Sequence, residues 1–94
     1  MLKVKYSNSA EKTIEEIADF VEQLNTKGSG ERWKERFNNK IYKYAEPIGY
    51  SLCRHILFAL RNYSCISIGN WIVVFKIIND TFYVYRIING SILK

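Results

Sequence analysis

The side chains of this chain that could do chemistry are cations and phenols in its second half. Metal-free cleavage of a phosphodiester needs a base for the attacking 2′-hydroxyl, a cation for the developing negative charge and an acid for the leaving oxygen. The residues of these types are Arg54, His55, Arg61, Lys76 and Arg86, with Tyr83 and Tyr85 as phenol donors. The composition therefore allows such a reaction if the fold brings these side chains together.

The single histidine has two interpretations. Imidazole is the side chain that most readily exchanges protons near neutral pH, so His55 is a candidate acid or base. Its neighbours Leu52, Ile56 and Leu57 are apolar. This setting favours a hydrogen-bonded structural histidine over a catalytic one.

Arg86 is the most informative of the cations. Strict alternation along a strand would place it on the same face as Phe82, Val84 and Ile88. An arginine on an apolar strand face is either paired inside the protein, placed near the end of the sheet, or turned toward a ligand. The turn signal at residues 89–90 follows closely, which slightly favours a ligand.

Other familiar site chemistries have no motif here. Cys53 and Cys65 are twelve residues apart without a CxxC pair, which is not the spacing of zinc ligands. Residues 28–30 contain two glycines but lack the lysine and the strand-to-helix context of a phosphate-binding loop. One histidine and two distant aspartates do not suggest a Ser-His-Asp triad. We expect no metal ion and no small-molecule cofactor.

Charge is distributed unevenly over the 94 residues, whose formal net charge is +5. Residues 1–47 carry nine basic and eight acidic side chains, whereas residues 48–94 carry five basic side chains and one acid, Asp80. An anionic partner is therefore expected at the second half. The alternative is that the charge only keeps a small protein soluble.

Length and hydropathy predict one soluble cytoplasmic domain spanning residues 1–94. The longest apolar run, residues 71–75, is far shorter than the ~20 residues of a membrane-spanning helix. The polar start does not resemble a signal peptide. Both cysteines lie among apolar residues, which favours reduced, packed thiols.

The first half has the pattern of a strand followed by two helices. Residues 2–6 alternate apolar and basic side chains, and Ser7, Asn8 and Ser9 offer N-cap oxygens. A helix from residue 10 is expected to end near residues 27–28, with Gly28 or Gly30 at its left-handed exit. Its acidic outer surface should attract the basic second helix, which Pro47 ends. The apolar stripes are Ile14, Ile17, Ala18, Val21 and Leu24 in the first helix and Trp33, Phe37, Ile41, Tyr44 and Ala45 in the second.

The second half has the pattern of an antiparallel meander. Residues 63–68, 71–78 and 81–88 are rich in β-branched and aromatic side chains, with turn signals at residues 69–70 and 79–80. Residues 48–60 have no readable pattern, and their conformation is left open. The order β-α-α-β-β-β predicts an α+β domain of two layers, in which the N-terminal strand and a helical hairpin pack on a small twisted antiparallel sheet. The first strand should join at the far edge of the meander or beside its middle strand.

Several short strings occur along the chain in a characteristic order. They are Ser-Asn-Ser-Ala with Ile-x-x-Ile-Ala-x-Phe-Val, Glu-Pro-Ile-Gly, Leu-Arg at residues 60–61, the hairpin of residues 68–75, and Tyr-Arg-Ile-Ile-Asn-Gly-Ser at residues 85–91. No string is specific alone. In this order, over nearly the whole length, they resemble the RelE/ParE superfamily of bacterial type II toxins.

The resemblance implies both a partner and a target. Toxins of this superfamily are made beside an antitoxin whose extended or helical segment wraps and neutralises them, which suits an acidic partner for this basic chain. RelE-like members cleave mRNA in the ribosomal A site with Arg, Lys, Tyr or His near the sheet. ParE-like members poison DNA gyrase and lack those residues.

Departures from the nuclease pattern favour the ParE-like branch. Where RelE-like enzymes commonly carry arginines, this chain has Cys65, Ser67 and Ile72, and where the closing motif often has histidine it has Asn89. Asparagine cannot shuttle a proton. We therefore expect a non-enzymatic toxin that inhibits growth by binding an essential target such as DNA gyrase. The residues expected to contact the target are Arg54, Arg61, Arg86, Asn89 and Lys94.

Two alternatives stay open. A ribosome-dependent mRNA endonuclease would need its candidate residues to converge on one concave face. A binding module of the same fold would have lost toxicity altogether. The candidates for the nuclease are Arg54, His55, Arg61, Lys76 and Arg86.

Overall fold

A computed structural model of the chain describes residues 2–46 and 49–90. The elements are β1 (Lys3–Tyr6), α1 (Asn8–Leu24), α2 (Ser29–Tyr44), α3 (Ile56–Ala59), β2 (Ser64–Ile68), β3 (Trp71–Ile78) and β4 (Thr81–Asn89). The order is the predicted one, with the short helix α3 added in the stretch that the sequence left open. Pro47, expected to end the second helix, lies outside the described residues, and α2 ends at Tyr44. None of the helices described is long and apolar enough to cross a membrane.

The four strands form one mixed sheet in the order β1-β4-β3-β2. The antiparallel meander of β2, β3 and β4 is as predicted. Its turns contain Gly69 and Asn79, whose φ angles of 60° and 56° are in the left-handed region. β1 pairs with β4 in parallel, so it takes the edge position of the two that were expected. From β1 the chain crosses one face of the sheet through the helices and enters β2 at the opposite edge.

β4 contains one residue more than β3 at the centre of their pairing. Phe75 lies opposite Val84 and Val74 lies opposite Arg86, so Tyr85 has no partner of its own. An extra residue of this kind is a β-bulge. Because side chains alternate along a strand, the bulge exchanges the two faces for every residue that follows.

This bulge corrects the expected position of Arg86. Phe82 and Val84 are fully buried before the bulge, and Ile87 is buried after it. Arg86 is exposed on the opposite face. The prediction that Arg86 shares a face with Phe82 and Val84 was wrong because strict alternation does not hold across an extra residue.

The helices cover the face of the sheet that carries the hydrophobic core. Aromatic contacts lie at this core: Phe75 of β3 stacks on Phe82 of β4 with ring centroids 4.2 Å apart, and Tyr50 of the loop after α2 meets Phe75 edge-on at 5.1 Å. Leu24 is 66% exposed, so the apolar stripe of α1 ends before it. The buried core consists of Ala10, Ile14, Ile17, Phe37, Ile41, Ala45, Ile68, Val73, Phe75, Phe82, Val84 and Ile87.

The two long helices approach each other closely at Gly30. A Cβ atom at this position would lie 2.5 Å from the carbonyl oxygen of Ala18. The carboxylate of Glu22 accepts hydrogen bonds from the backbone N–H groups of Gly28 and Gly30, at 2.7 and 2.8 Å. These two bonds, Gly28's first, hold the pKa of Glu22 below its ordinary value. α1 thus supplies the N-terminal cap of α2.

The connection between the helices differs from the expected one. α1 ends at Leu24, and Gly28, with φ of 88°, stands immediately before α2. The two glycines therefore begin the second helix and do not terminate the first. The expected attraction between the helices is present, because Lys34 Nζ lies 2.6 Å from the Glu15 carboxylate. That hydrogen bond raises the pKa of Lys34 above its ordinary value.

Ser7 joins α1 to the bulge of β4. Its hydroxyl oxygen accepts a hydrogen bond from the Ala10 N–H at 3.0 Å, so Ser7 is the N-cap among the three residues that the sequence offered. The same hydroxyl donates to the carbonyl oxygen of Tyr85, the extra residue of the bulge. The backbone N–H of Ser7 donates to Val84 at 2.9 Å. One side chain therefore satisfies both a helix end and a bulge carbonyl.

We expect Gly30→Ala to destabilise the fold. The added methyl group would meet the Ala18 carbonyl, and overpacking of this kind costs about 1–3 kcal/mol, whereas the better helix propensity of alanine returns only roughly 0.5–1 kcal/mol. Urea unfolding should therefore show a clear loss of unfolding free energy. Gly49→Ala is the matched control, because a Cβ there would have nothing within 4 Å. Equal stability of the two variants would contradict the close helix contact.

Ser7→Ala should lower the free energy of unfolding by about 2 kcal/mol, because it removes an N-cap and the Tyr85 carbonyl loses a donor. For a domain of this size that corresponds to a fall in melting temperature of roughly 8–16 °C in calorimetry. Ser9→Ala, at an exposed position in the first turn of α1, is the control and should melt within about 2 °C of the wild type. A similar fall in melting temperature in both variants would contradict the role of the Ser7 hydroxyl in joining α1 to the bulge of β4.

Candidate functional site

The sheet face turned away from the helices carries two of the candidate cations, Lys76 and Arg86. Val73 and Phe75 pack against the helices, so Val74 between them points the other way. Residues directly opposite each other in a sheet share a face, and Val74 lies opposite both Cys65 and Arg86. We call this the outer face. By register it contains Cys65, Ser67, Ile72, Val74, Lys76, Tyr83, Arg86 and Ile88.

The chain between α2 and β2 is fastened to the outer face by a disulfide bond. Cys53 and Cys65 are bonded, with their Cα atoms 4.8 Å apart, so the expectation of reduced thiols was wrong. The backbone explains their proximity: the Cys53 N–H donates to the Tyr63 carbonyl at 2.9 Å, and Leu52 forms an isolated antiparallel bridge with Ser64. This short pairing places Cys53 within disulfide reach of Cys65.

The segment enclosed by this bond, residues 54–64, is a largely exposed loop around α3. No residue of α3 itself is buried. Three large apolar side chains of this loop face solvent, since Ile56, Leu57 and Leu60 are 66%, 63% and 74% exposed, whereas Phe58 is half-buried beside His55. Arg54 precedes the helix and Arg61 follows it, and both are exposed. We call residues 54–64 the stapled segment.

A cavity of about 790 Å³ lies between residues 50–55 and the outer face of β2 and β3. Arg54 and His55 both line it, so the structure brings these two candidates together. The Nδ1 atom of His55 is buried and has no hydrogen-bond partner among the described residues. The hydrogen bond expected of a structural histidine is therefore absent at this nitrogen. Further lining residues are Cys53, Cys65, Ser67 and Ile72.

Two further candidates meet at a row of rings. The Lys76 Nζ lies 4.6 Å from the centre of the Tyr63 ring, which stacks on Tyr85 at 4.6 Å. The Arg86 guanidinium lies 5.3 Å from the centre of the Tyr85 ring. Burial first, and then the neighbouring phenols of Tyr85 and Tyr83, raise the pKa of Tyr63 above its ordinary value. We call Lys76, Tyr63, Tyr85 and Arg86 the tyrosine stack.

Sequence reasoning missed Tyr63 as a member of this site. Tyr63 immediately precedes β2 and Tyr85 is in β4, and these two strands flank β3, so the two rings meet across it. Only the pairing of β2 with β3 and the bulge at Tyr85 bring them together. No local sequence signal carries that information.

The remaining candidates lie elsewhere. Asn89 ends β4 opposite Trp71, in a row on the helix side of the sheet. Arg61 follows α3 and does not line the cavity, but its charge acts on Tyr63 of the tyrosine stack, where it partly offsets the raised pKa of the phenol. Lys94 lies outside the described residues.

The cations of this region are not neutralised by ion pairs. Within residues 2–46 and 49–90, both salt bridges belong to Lys34 of α2. Arg54, Arg61 and Arg86 therefore present their charge to solvent. Across the same residues no group of three or more His, Cys, Asp or Glu side chains could hold a metal ion. The arrangement suits recognition of an anionic or acidic surface.

The chain matches a known protein family. A family model described as ParE toxin of type II toxin-antitoxin system, parDE, matches residues 4–93. No curated protein matches the chain. The matched range contains the outer face, the stapled segment and the tyrosine stack.

The contact between Lys76 and Tyr63 should be measurable as a coupling free energy. In a double-mutant cycle with Lys76→Met and Tyr63→Leu, we expect about 0.5–1 kcal/mol, the usual size of a cation–π interaction at a partly exposed site. Urea unfolding of the four proteins would provide the values. Lys5→Met with Tyr63→Leu is the control cycle, because Lys5 is exposed on β1 at the far edge of the sheet. A Lys76 coupling no larger than the control would show that the ring does not hold this cation.

Proposed function

The chain belongs to the ParE toxin family of type II toxin–antitoxin systems, and from this we propose that it inhibits growth by binding an essential target, DNA gyrase. The contact surface in this proposal is the stapled segment together with the neighbouring part of the outer face. The site of action is the cytoplasm. A cognate antitoxin neutralises the toxin by covering the same surface.

One observation carries the proposal: three exposed arginines in the second half of the chain form no salt bridge with any acid among residues 2–46 and 49–90. They are Arg54, Arg61 and Arg86, and Asp80 is the only acid among residues 48–94. Asp80 lies in the turn between β3 and β4, away from the stapled segment. A patch of one sign attracts a partner of the opposite sign and speeds association.

The same region offers apolar anchors beside the charges. Ile56, Leu57 and Leu60 are large, exposed and flanked by Arg54 and Arg61. Clusters of exposed apolar residues with a polar rim are typical of protein–protein interfaces. A partner segment with apolar and acidic side chains would match both features, and this is the chemistry we propose for the antitoxin.

The distribution of the candidate nuclease residues supports a non-enzymatic toxin. General acid–base catalysis requires the base, the cation and the acid around one reacting group. The lining of the cavity includes Arg54 and His55 but not Arg61, Lys76 or Arg86. Lys76 lies over the Tyr63 ring, Cys65 is in a disulfide, and the closing motif has Asn89 in place of histidine.

Loss of the arginines should abolish growth inhibition. On induced expression without antitoxin, Arg61→Ala and Arg86→Ala should each raise the number of surviving colonies at least tenfold over the wild type, because target contacts are lost. Arg36→Ala is the control, since it removes the same charge from an exposed position of α2 and should stay toxic. Melting temperatures must stay within about 2 °C of the wild type for the comparison to hold. Full toxicity of both site variants would refute the assigned surface.

The order of events in the same cells distinguishes DNA gyrase from the ribosome as the target. Gyrase poisoning predicts induction of the DNA-damage response before protein synthesis falls, and purified toxin should bind purified gyrase. Early loss of translation with cleaved mRNA would instead identify a ribosome-dependent endonuclease. Harmless expression of folded wild-type protein would identify a binding module that lacks toxicity.

A further inference from the structure

The disulfide between Cys53 and Cys65 is the one covalent constraint on the stapled segment. It closes a loop with a sequence separation of 12. Both ends of the loop also have non-covalent anchors: the Cys53 N–H bonds to the Tyr63 carbonyl, and Tyr63 stacks on Tyr85. Between these ends, α3 has no buried residue to hold it against the body of the protein.

Small molecules can reach the bond from the adjacent cavity. Cys53 itself is 5% exposed and Cys65 is half-buried, but both line the cavity of about 790 Å³. Thiol–disulfide exchange requires a thiolate to approach a sulfur atom along an open path. The cavity provides that path, which a disulfide enclosed in the core would lack.

We propose that Cys53 and Cys65 form a redox switch that sets the order of the stapled segment and thereby the affinity of the toxin for its target; the second half of this inference rests on the proposed function. In the oxidised form the segment is held in one arrangement. In the reduced form the segment samples many arrangements. A preordered binding surface loses less conformational entropy on association, so the oxidised form binds more tightly.

The chemical step is a two-electron exchange with a dithiol. One thiolate of the dithiol attacks one protein sulfur, the bond between Cys53 and Cys65 breaks, and a mixed disulfide forms. The second thiolate of the dithiol then displaces the remaining protein sulfur. The protein gains two electrons and two protons as two thiols, and the dithiol leaves as its own disulfide.

The proposed cytoplasmic location determines which redox form of the protein prevails in the cell. Disulfides in that compartment are uncommon, and those that occur are usually transient, catalytic or redox-sensing. The thiols would be reduced under ordinary conditions and oxidised under disulfide stress. Toxicity should therefore rise when the cell becomes more oxidising.

Hydrogen exchange tests the structural half of the inference. The backbone N–H groups of Leu60 and Tyr63 donate to Ile56 and Phe58 within the stapled segment. Treating the full chain with dithiothreitol should speed their exchange at least tenfold and leave the amides of Phe75 and Val84, buried in the core strands, unchanged. The double variant Cys53→Ser with Cys65→Ser should exchange like the reduced wild type, with no response to dithiothreitol.

Two results would overturn the structural half of the inference. One is a mass spectrum of oxidant-treated protein, under native conditions, in which both thiols remain free. The other is equal exchange at Leu60 and Tyr63 before and after reduction. Since the reduced wild type serves as its own comparison, the test does not depend on the serine variant folding.

Binding to purified gyrase tests the functional half. The oxidised wild type should bind about tenfold more tightly than the reduced wild type or the double serine variant. If Arg61→Ala and Arg86→Ala bind like the wild type, the proposed function fails, whatever the redox result. If those variants lose binding but reduction does not change the affinity of the wild type, the redox inference fails and the proposed function stands.

Discussion

The extra residue in β4 is the constraint on which both faces of the sheet depend. With Tyr85 inserted opposite the junction of Val74 and Phe75, the strand buries Phe82 and Val84 before the bulge and Ile87 after it. Without the insertion, Arg86 would point into the hydrophobic core. Burying an unpaired guanidinium there would be far more costly than the local loss of one ladder hydrogen bond. The bulge therefore lets one strand serve the core along its length and still deliver a cation to the outer face.

The same residue connects the bulge to the rest of the architecture. The Tyr85 carbonyl accepts from Ser7, the N-cap of α1, so the start of the helical crossover is tied to the irregular point of the sheet. The Tyr85 ring stacks on Tyr63, which anchors the far end of the stapled segment. Tyr85 thus contacts the start of α1 through its carbonyl oxygen and the end of the stapled segment through its ring. Its conformational cost is offset by contacts in both layers.

The two faces of the sheet differ in composition, which explains how so small a domain can be stable and still expose a surface suited to a partner. The helix side contains the continuous apolar core, and Lys34 of α2 pairs there with Glu15 of α1. The outer face and the stapled segment together carry three arginines that form no salt bridge within the described residues, and the stapled segment exposes large apolar side chains that an isolated fold does not need for its own stability. Surfaces of this composition are typical of proteins that spend part of their existence bound to a partner. This agrees with a toxin family whose members pair with antitoxins.

Local patterns in the sequence were sufficient to predict the strands of the meander, an N-cap within residues 7–9 and the buried stripe around Phe37 and Ile41. They also predicted the α+β class. Each of these features depends on residues that are close together in the chain. The edge position of β1, the bulge at Tyr85, the disulfide of Cys53 with Cys65 and the stack of Tyr63 on Tyr85 were decided only by tertiary structure. Each of these joins residues from different elements, and pairing register and packing set their geometry. Candidate residue types at the site were therefore visible in the sequence, whereas their grouping was not. Arg86 shows the difference most directly: its identity suggested a ligand, but the register shift across two strands decided which face it occupies.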